Sequence, residues 1–389
     1  MQEVPIVLIG HKDHGKSTLI GRLLLDTKSI KESKLKEIQD VDKALGYKFE
    51  LAHLVDSFRE EREREMTMDT TMVLLKGQKQ NYQLIDVPGH AELISNMLTG
   101  ASGAKTALLV VSVEEGIKEQ TRQHLEIAKL LGIEQLEVVV NKMDKVNYKK
   151  EKFDEVVKSL KEILNTIGYL SEKIHFFPVS AWVGDNVTKK SEKMPWYQEK
   201  TLMEFLEKDI KTPEPLVNLP LSFLVQDTYS EPDGEILVGR IETGKLNVGQ
   251  EIIFLPGKEK SKIKKINGLE GELKEAMAGQ NIGISLFEVT RIKRGMVGTS
   301  DFKSFQVGNN LSGEIFWIEK PTQKQLILEC GTAQVLVNLI EPSEVNQSVK
   351  TSYKFSLNES IVVDNKYKTI LSKIVLKDRG KIIAVGNIK

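Results

Sequence analysis

Residues Gly10–Ser17 read G-H-K-D-H-G-K-S and follow directly on the apolar run Pro5–Ile9. Two spaced glycines and a closing Lys-Ser pair, set before the amphipathic stretch Thr18–Leu25, predict a loop that leaves a buried strand and opens a helix. Backbone N–H groups converging at a helix N-terminus make an anion site, and this one suits a triphosphate. Gly10 and Gly15 admit conformations that a Cβ forbids, so the loop can wrap close to phosphates. Lys16 is expected to bridge the β- and γ-phosphates and Ser17 to offer its hydroxyl to Mg²⁺. His11, Lys12, Asp13, His14 and Thr18 complete the nucleotide-contacting stretch, with Asp13 close to the bridging oxygen or an associated cation.

The chain beyond the loop alternates apolar runs with helical patterns up to about residue 210. Val4–Ile9, Met72–Leu75, Tyr82–Asp86, Ala107–Val113, Leu136–Asn141 and His175–Ser180 read as strands, most of them apolar enough to be covered on both faces. Glu92–Thr99, Glu119–Leu131 and Lys152–Ile167 read as the helices between them. The expected fold is an α/β P-loop domain with a doubly wound, mostly parallel sheet and its ligand at the carboxyl ends of the strands. Lys211–Pro220, with three prolines, reads as an extended linker. After it the period shortens to glycine-punctuated strands: Pro220–Val225, Glu235–Glu242, Gln250–Leu255, Ser261–Gly268 and Gln280–Leu286. A further strand series runs from Asn310 to Lys389, including Ser312–Trp317, Leu326–Glu329, Thr332–Leu339 and Ile370–Leu376. Two small all-β barrels satisfy that spacing. The expected domains are residues 1–212, 213–303 and 304–389.

Three more strand ends carry chemistry. Asp86-Val87-Pro88-Gly89-His90 suits a switch that senses the γ-phosphate: Asp86 holding Mg²⁺ through water, the Gly89 N–H donating to the phosphate, His90 orienting the attacking water. In Asn141-Lys142-Met143-Asp144, the Asp144 carboxylate can accept from both N1–H and N2–H of guanine, a pair of donors that adenine lacks. A wrong base would leave buried polar groups unpaired, so the contact discriminates strongly. Asn141 is expected to hold the base edge and tether the phosphate loop, and the Lys142 stem to pack on the ring. Ser180-Ala181-Trp182 can present a backbone N–H to the guanine carbonyl. Thr67 is the remaining metal-ligand candidate. It follows the charged run Asp56–Arg64, which can be a solvated helix in one nucleotide state and refold when Thr67 is captured in the other. Together these imply a Mg²⁺-dependent enzyme that hydrolyses GTP to GDP, with His90, Lys16, Gly89 and Asp13 as its catalytic groups.

Lys+Arg and Asp+Glu both total 55, so no net charge draws the chain to DNA or an anionic membrane. One cysteine, Cys330, excludes an intrachain disulfide and fits a reducing compartment. No apolar run nears the ~20 residues a membrane span needs, and the chain enters its first strand at once. A soluble, cytoplasmic protein is expected.

These motifs resemble the elongation factor Tu / elongation factor 1-alpha superfamily of translational GTPases. The match lies in the phosphate loop, E-R-E-R-E-M-T-M-D at 61–69, D-V-P-G-H, N-M-L-T-G-A at 96–101, Q-T-R-Q-H at 120–124, N-K-M-D, M-P-W-Y at 194–197 and V-G-R-I-E-T-G at 238–244. The resemblance covers essentially the whole chain and implies a GTPase domain followed by two β-barrels. Two branches of the superfamily compete. L-I-G-R-L-L-L-D-T-K-S-I at 19–30 and I-F-W-I-E-K at 315–320 look like the GTPase subunit of sulfate adenylyltransferase, which works with a separate catalytic subunit. Asp13-His14-Gly15, K-F-E-L-A at 48–52 and the closing A-V-G-N-I-K are similar to elongation factor 1-alpha, which carries aminoacyl-tRNA to the ribosome. The expectation leans to the sulfate branch, with the translation factor as its alternative.

Departures from the resemblance matter too. Lys12 and Met66 stand where the family usually has the valine and isoleucine of a hydrophobic gate around the catalytic histidine, so His90 is expected to be less restrained here. The third domain looks shorter than in elongation factors. Lys260, Lys262 and Lys264 share one strand face and suit either edge protection or contact with phosphates, the first being favoured. His53, His124 and His175 read as structural or surface residues, no histidine cluster has zinc spacing, and Cys330 reads as a small core residue.

Overall fold

The computed structural model describes residues 3–44, 50–55, 71–87, 93–94, 104–210, 216–231, 234–268, 271–288, 291–341, 350–364, 366–367 and 369–389. The chain divides into two compact units, one running to Pro213 and the other from Glu214.

The first unit is an α/β sandwich. Its elements are β1 (Glu3–Ile9), α1 (Lys16–Asp26), α2 (Glu32–Ala44), β2 (Thr71–Lys76), β3 (Asn81–Asp86), β4 (Thr106–Ser112), α3 (Glu119–Leu130), β5 (Gln135–Asn141), α4 (Lys150–Ile167), β6 (Phe176–Pro178) and α5 (Leu202–Asp209). They form a six-stranded sheet in the order β2-β3-β1-β4-β5-β6, parallel except for β2, which runs antiparallel to β3. Every residue of β4 is buried, as a strand covered on both faces requires. Because β1 lies between β3 and β4, the loop after β1 emerges near the middle of the sheet, next to the ends of β3 and β4.

Most expected strands fall within two residues of their observed bounds. The last expected strand is shorter: β6 stops at Pro178, and Ser180 instead bridges Asp185. The Val179 N–H still donates to the Val140 carbonyl at 2.9 Å before the chain turns at Ser180. Among the described residues, α2 and α5 lie outside the expected helices. In α2 only Ile38 and Asp42 are buried, so its sequence shows no apolar stripe. In α5 the Thr201 side chain accepts from the Glu204 N–H while Glu204 reaches back to the Thr201 N–H, a complete capping box. The expected helix at 92–99 and part of the linker, residues 211–215, lie outside the described residues.

The second unit is all β. β7 (Ser222–Glu231), β8 (Gly234–Thr243), β10 (Glu251–Leu255), β11 (Glu259–Gly268), β14 (Asn281–Leu286) and β15 (Val297–Thr299) form an antiparallel ring closed by the β10–β11 pair, with β12 (Gly271–Leu273) beside β11. β9 (Lys245–Asn247) and β13 (Glu275–Met277) pair separately. A closed barrel follows: β16 (Gln306–Trp317), β17 (Gln325–Cys330), β18 (Ala333–Glu341), β19 (Lys350–Val363), β20 (Lys373–Asp378) and β21 (Lys381–Ile388). Leu224, Leu255 and Val297 of the first ring join the core of the second around Trp317, Tyr353 and Phe355. Cys330 is in that core, and burial pushes its thiol up to about 12. The lysine comb does lie on one exposed face of β11. That strand sits in the ring between β10 and β14, however, so edge protection is not its role.

Candidate functional site

The glycine loop does what its sequence demands. Gly10 and Gly15 have φ of 141° and 89°. A Cβ on Gly10 would stand 2.3 Å from the Val110 carbonyl oxygen, and one on Gly15 would stand 2.4 Å from Asn141 Nδ2. Asp13, exposed, also takes a left-handed φ of 64°, while the His14 and Lys16 side chains of the same loop are buried. Lys16 is only 8% exposed, and its ammonium donates to the Gly10 and His11 carbonyls, each at 3.1 Å. Burial lowers its pKa, opposed by the Asp86 and Asp13 carboxylates. Ser17 Oγ donates to Asp86 Oδ2 at 3.0 Å, joining the start of α1 to the end of β3.

The other end of the site is built on β5 and the loop after β6. Asn141 Nδ2 donates to the His14 carbonyl at 3.0 Å, and Asn141 Oδ1 accepts from the Ala181 N–H at 3.0 Å. Lys142 adopts a left-handed φ of 67° that starts the turn Met143–Val146, with Met143 fully buried beneath. Asp144 accepts from Ser180 Oγ at 2.6 Å through Oδ1, which leaves Oδ2 without a donor among the described residues. One amide side chain therefore links the loop Gly10–Ser17, the end of β5 and the Ser180–Trp182 loop. This arrangement belongs to nucleotide binding.

Residues 1–212 match the elongation factor Tu GTP-binding domain, and residues 234–299 match elongation factor Tu domain 2. The chain belongs to the elongation factor Tu family of GTPases. It is 40% identical over 353 residues to elongation factor 1-alpha of Aeropyrum pernix, covering 86% of this chain and 80% of that one. To the elongation factor 1-alpha of Pyrococcus woesei it is 37% identical over 421 residues, with 98% and 96% covered. The Methanothermobacter thermautotrophicus factor is 35% identical over 410 residues, with 99% and 97% covered. An alignment longer than the chain's own 389 residues means that the relative carries positions absent here. The sulfate-branch expectation finds no support among these relatives, which favour its alternative. The protein is a GTP-binding, GTP-hydrolysing switch of the elongation factor 1-alpha type.

Of the expected site residues, Gly10, His11, Lys12, Asp13, His14, Gly15, Lys16, Ser17, Thr18, Asp86, Val87, Asn141, Lys142, Met143, Asp144, Ser180, Ala181 and Trp182 are described and cluster along the carboxyl ends of β1, β3, β5 and β6. Pro88, Gly89, His90, Met66 and Thr67 lie outside the described residues. Four neighbours were not singled out. His124, read from the sequence as structural or surface, is buried and accepts from the Gly10 N–H at 3.4 Å. Gln120 Oε1 bonds the His11 ring. Glu115 lies 3.6 Å from the Lys142 ammonium and 3.9 Å from His14 Nε2. Arg22 bonds the Ala181 and Trp182 carbonyls. Gln120 and His124 carried a signal, the Q-T-R-Q-H motif on the first turns of α3. Among the described residues no helix is long and apolar enough to cross a membrane.

Proposed function

We propose that this protein is a cytoplasmic translation factor that binds GTP with Mg²⁺, carries aminoacyl-tRNA to the ribosome and times its release by hydrolysis. The observation that carries the reading is the Asn141 link between phosphate loop and base-reading loop, in a chain whose elongation factor 1-alpha relatives it matches nearly end to end. The domain limits 1–212, 213–303 and 304–389 are part of the proposal.

The residues fit Mg²⁺. Ser17 Oγ and the Asp86 carboxylate are hard oxygen donors 3.0 Å apart, and this ion takes one or two protein ligands beside phosphates and waters. The described residues hold no cluster of three metal-ligating side chains, and a site completed by the substrate's phosphates does not call for one. Ser17 and Thr67 would hold Mg²⁺ directly and Asp86 through water, and the ion would neutralise charge on the β- and γ-oxygens.

The protein groups do the rest. Lys16 leaves the Gly10 and His11 carbonyls for the β- and γ-phosphates, exchanging neutral acceptors for charged ones. Loop amides carry the charge that grows in the transition state, with Asp13 beside the bridging oxygen. His90 orients the water for in-line attack, the Gly89 N–H meets the γ-phosphate, and Thr67 and Gly89 are released when that phosphate leaves. Asp144 reads the guanine N1–H and N2–H.

The role is tested by asking what stimulates GTP turnover of the purified full-length chain. Ribosomes with aminoacyl-tRNA are expected to do so. Stimulation instead by ATP and sulfate, through a co-purifying catalytic subunit, would overturn the assignment in favour of the sulfate branch.

A further inference from the structure

Arg22 lies on α1, five residues beyond Ser17, and is not part of the phosphate loop. Its Nε donates to the Ala181 carbonyl at 3.1 Å and its Nη2 to the next carbonyl, that of Trp182. Nη1 is held by Asp26 Oδ1 at 3.4 Å, and Asp26 Oδ2 accepts from Thr188 Oγ1 at 2.6 Å, on the far side of the same loop. Gly184, with φ of 100°, lies beside Arg22, where a Cβ would be in ordinary van der Waals contact with Cδ at 3.5 Å. A planar guanidinium can grip two successive carbonyls at once, which an ammonium cannot. Arg22 therefore fixes the orientation of two consecutive peptide planes.

The backbone donors of that loop are otherwise occupied. The Ser180 N–H goes to the Asp185 carbonyl, Ala181 to Asn141 Oδ1, Val183 to Ser180 Oγ and Gly184 to the Ser180 carbonyl. Among the described residues no acceptor faces the Trp182 N–H. It belongs to the peptide whose carbonyl Arg22 Nε holds. A peptide carbonyl that accepts from a cation makes its own N–H a stronger donor.

We infer that Arg22 is a positioning residue for guanine recognition: by holding the Ala181 and Trp182 carbonyls it aims and polarises the Trp182 amide toward the base's 6-oxo group. The inference rests on the proposed reading of Ser180–Trp182 as the guanine-carbonyl loop. It adds that specificity for the 6-oxo edge depends on a side chain from α1, so the helix that starts at the phosphates also sets the loop that reads the base.

The test uses the full chain and three diphosphates: GDP, inosine diphosphate, which keeps the 6-oxo group and N1–H, and 6-thioguanosine diphosphate, which keeps N1–H and the 2-amino group but carries a weak acceptor at position 6. Arg22→Ala is expected to weaken GDP and inosine diphosphate each about tenfold. It should weaken the 6-thio nucleotide less than about threefold, and Arg22→Lys should fall between. The retained affinity for the thio nucleotide also reports that the variant is folded. Equal losses on all three nucleotides would mark Arg22 as merely structural, and no loss on GDP would overturn the inference outright. Wild-type protein that binds GDP and 6-thio-GDP equally would refute the underlying reading of the loop, whatever Arg22→Ala does.

Discussion

The Asn141 side-chain amide stands between two loops, its Nδ2 donating to the His14 carbonyl and its Oδ1 accepting from the Ala181 N–H, both at 3.0 Å. Asn141 is 2% exposed, and Gly15 comes so near that any side chain at residue 15 would strike it. The loop Gly10–Ser17 and the loop Ser180–Trp182 are thus joined through one hydrogen-bonded side chain.

Asn141→Ala should therefore damage more than a base contact. It leaves the His14 carbonyl and the Ala181 N–H unpaired, each costing about 1–3 kcal/mol when buried. Fluorescent-GDP titration is expected to show affinity reduced roughly hundredfold. Asn141→Asp retains the acceptor for Ala181 and loses only the donor, so it should fall between; equal affinity for Asn141→Ala and the wild type would contradict the linking role.

Asp144→Asn changes the donor pattern offered to the base. The carboxylate accepts twice, whereas an amide accepts once and donates once, matching the N1–H and 2-oxo group of xanthine. The preference for GTP over XTP is expected to fall by roughly a thousandfold or more, since a site built to hydrogen-bond discriminates by such factors. Competition of both nucleotides against labelled GDP measures it, and an unchanged preference would remove Asp144 from base reading.

How much of this could be read from the chain alone follows from how local each signal is. Gly10–Ser17 and Asn141–Asp144 carry their meaning within eight residues, because a backbone anion site and a strand-end turn are local geometries. Arg22 does not: its partners lie about 160 residues away, and nothing in L-I-G-R-L-L-L announces them. The 14-residue β19 falls within the expected strand series, but its bounds are hard to read although Tyr353, Phe355 and Leu357 alternate inward. Its alternation then breaks at Asn358–Ser360, where three exposed residues run together, and the pairing with β16 shifts register. The capping box before α5 was legible in T-L-M-E and was missed. The lysine comb was assigned to an edge because a strand's neighbours cannot be read from its own alternation.

His90→Ala is expected to keep GTP affinity within about threefold and to lower single-turnover hydrolysis roughly hundredfold, the usual range for a group that positions or relays a proton. Lys12, exposed in the structure, offers a second handle. If a charged residue at the gate position leaves His90 unrestrained, Lys12→Val should lower the basal rate without changing nucleotide affinity. Unchanged basal turnover in Lys12→Val would dismiss the gate.

His14 makes the first unit sensitive to acid. Its imidazole has no exposed surface. Burial holds its pKa at about 4 rather than 6.5, with His11 and Lys142 adding to the depression and the Val110 carbonyl and Glu115 opposing it. Well above pH 6.5 the ring is uncharged in folded and unfolded chain alike, so it contributes no pH dependence there. Between about 6.5 and about 4 the unfolded chain binds a proton that the folded chain refuses, so stability falls as pH drops through that window. At pH 5 the loss is about 2 kcal/mol from this group, roughly 4–8 °C in the melting temperature of a domain of this size. Glu137, whose pKa is raised by burial, and other groups titrate nearby, so the informative quantity is a difference. Thermal unfolding of wild type and His14→Gln at pH 7.5 and pH 5 should show the variant losing several degrees less than the wild type. Equal losses would mean that the buried ring accepts its proton without cost, and that Glu115, 3.9 Å from Nε2, compensates the charge in full.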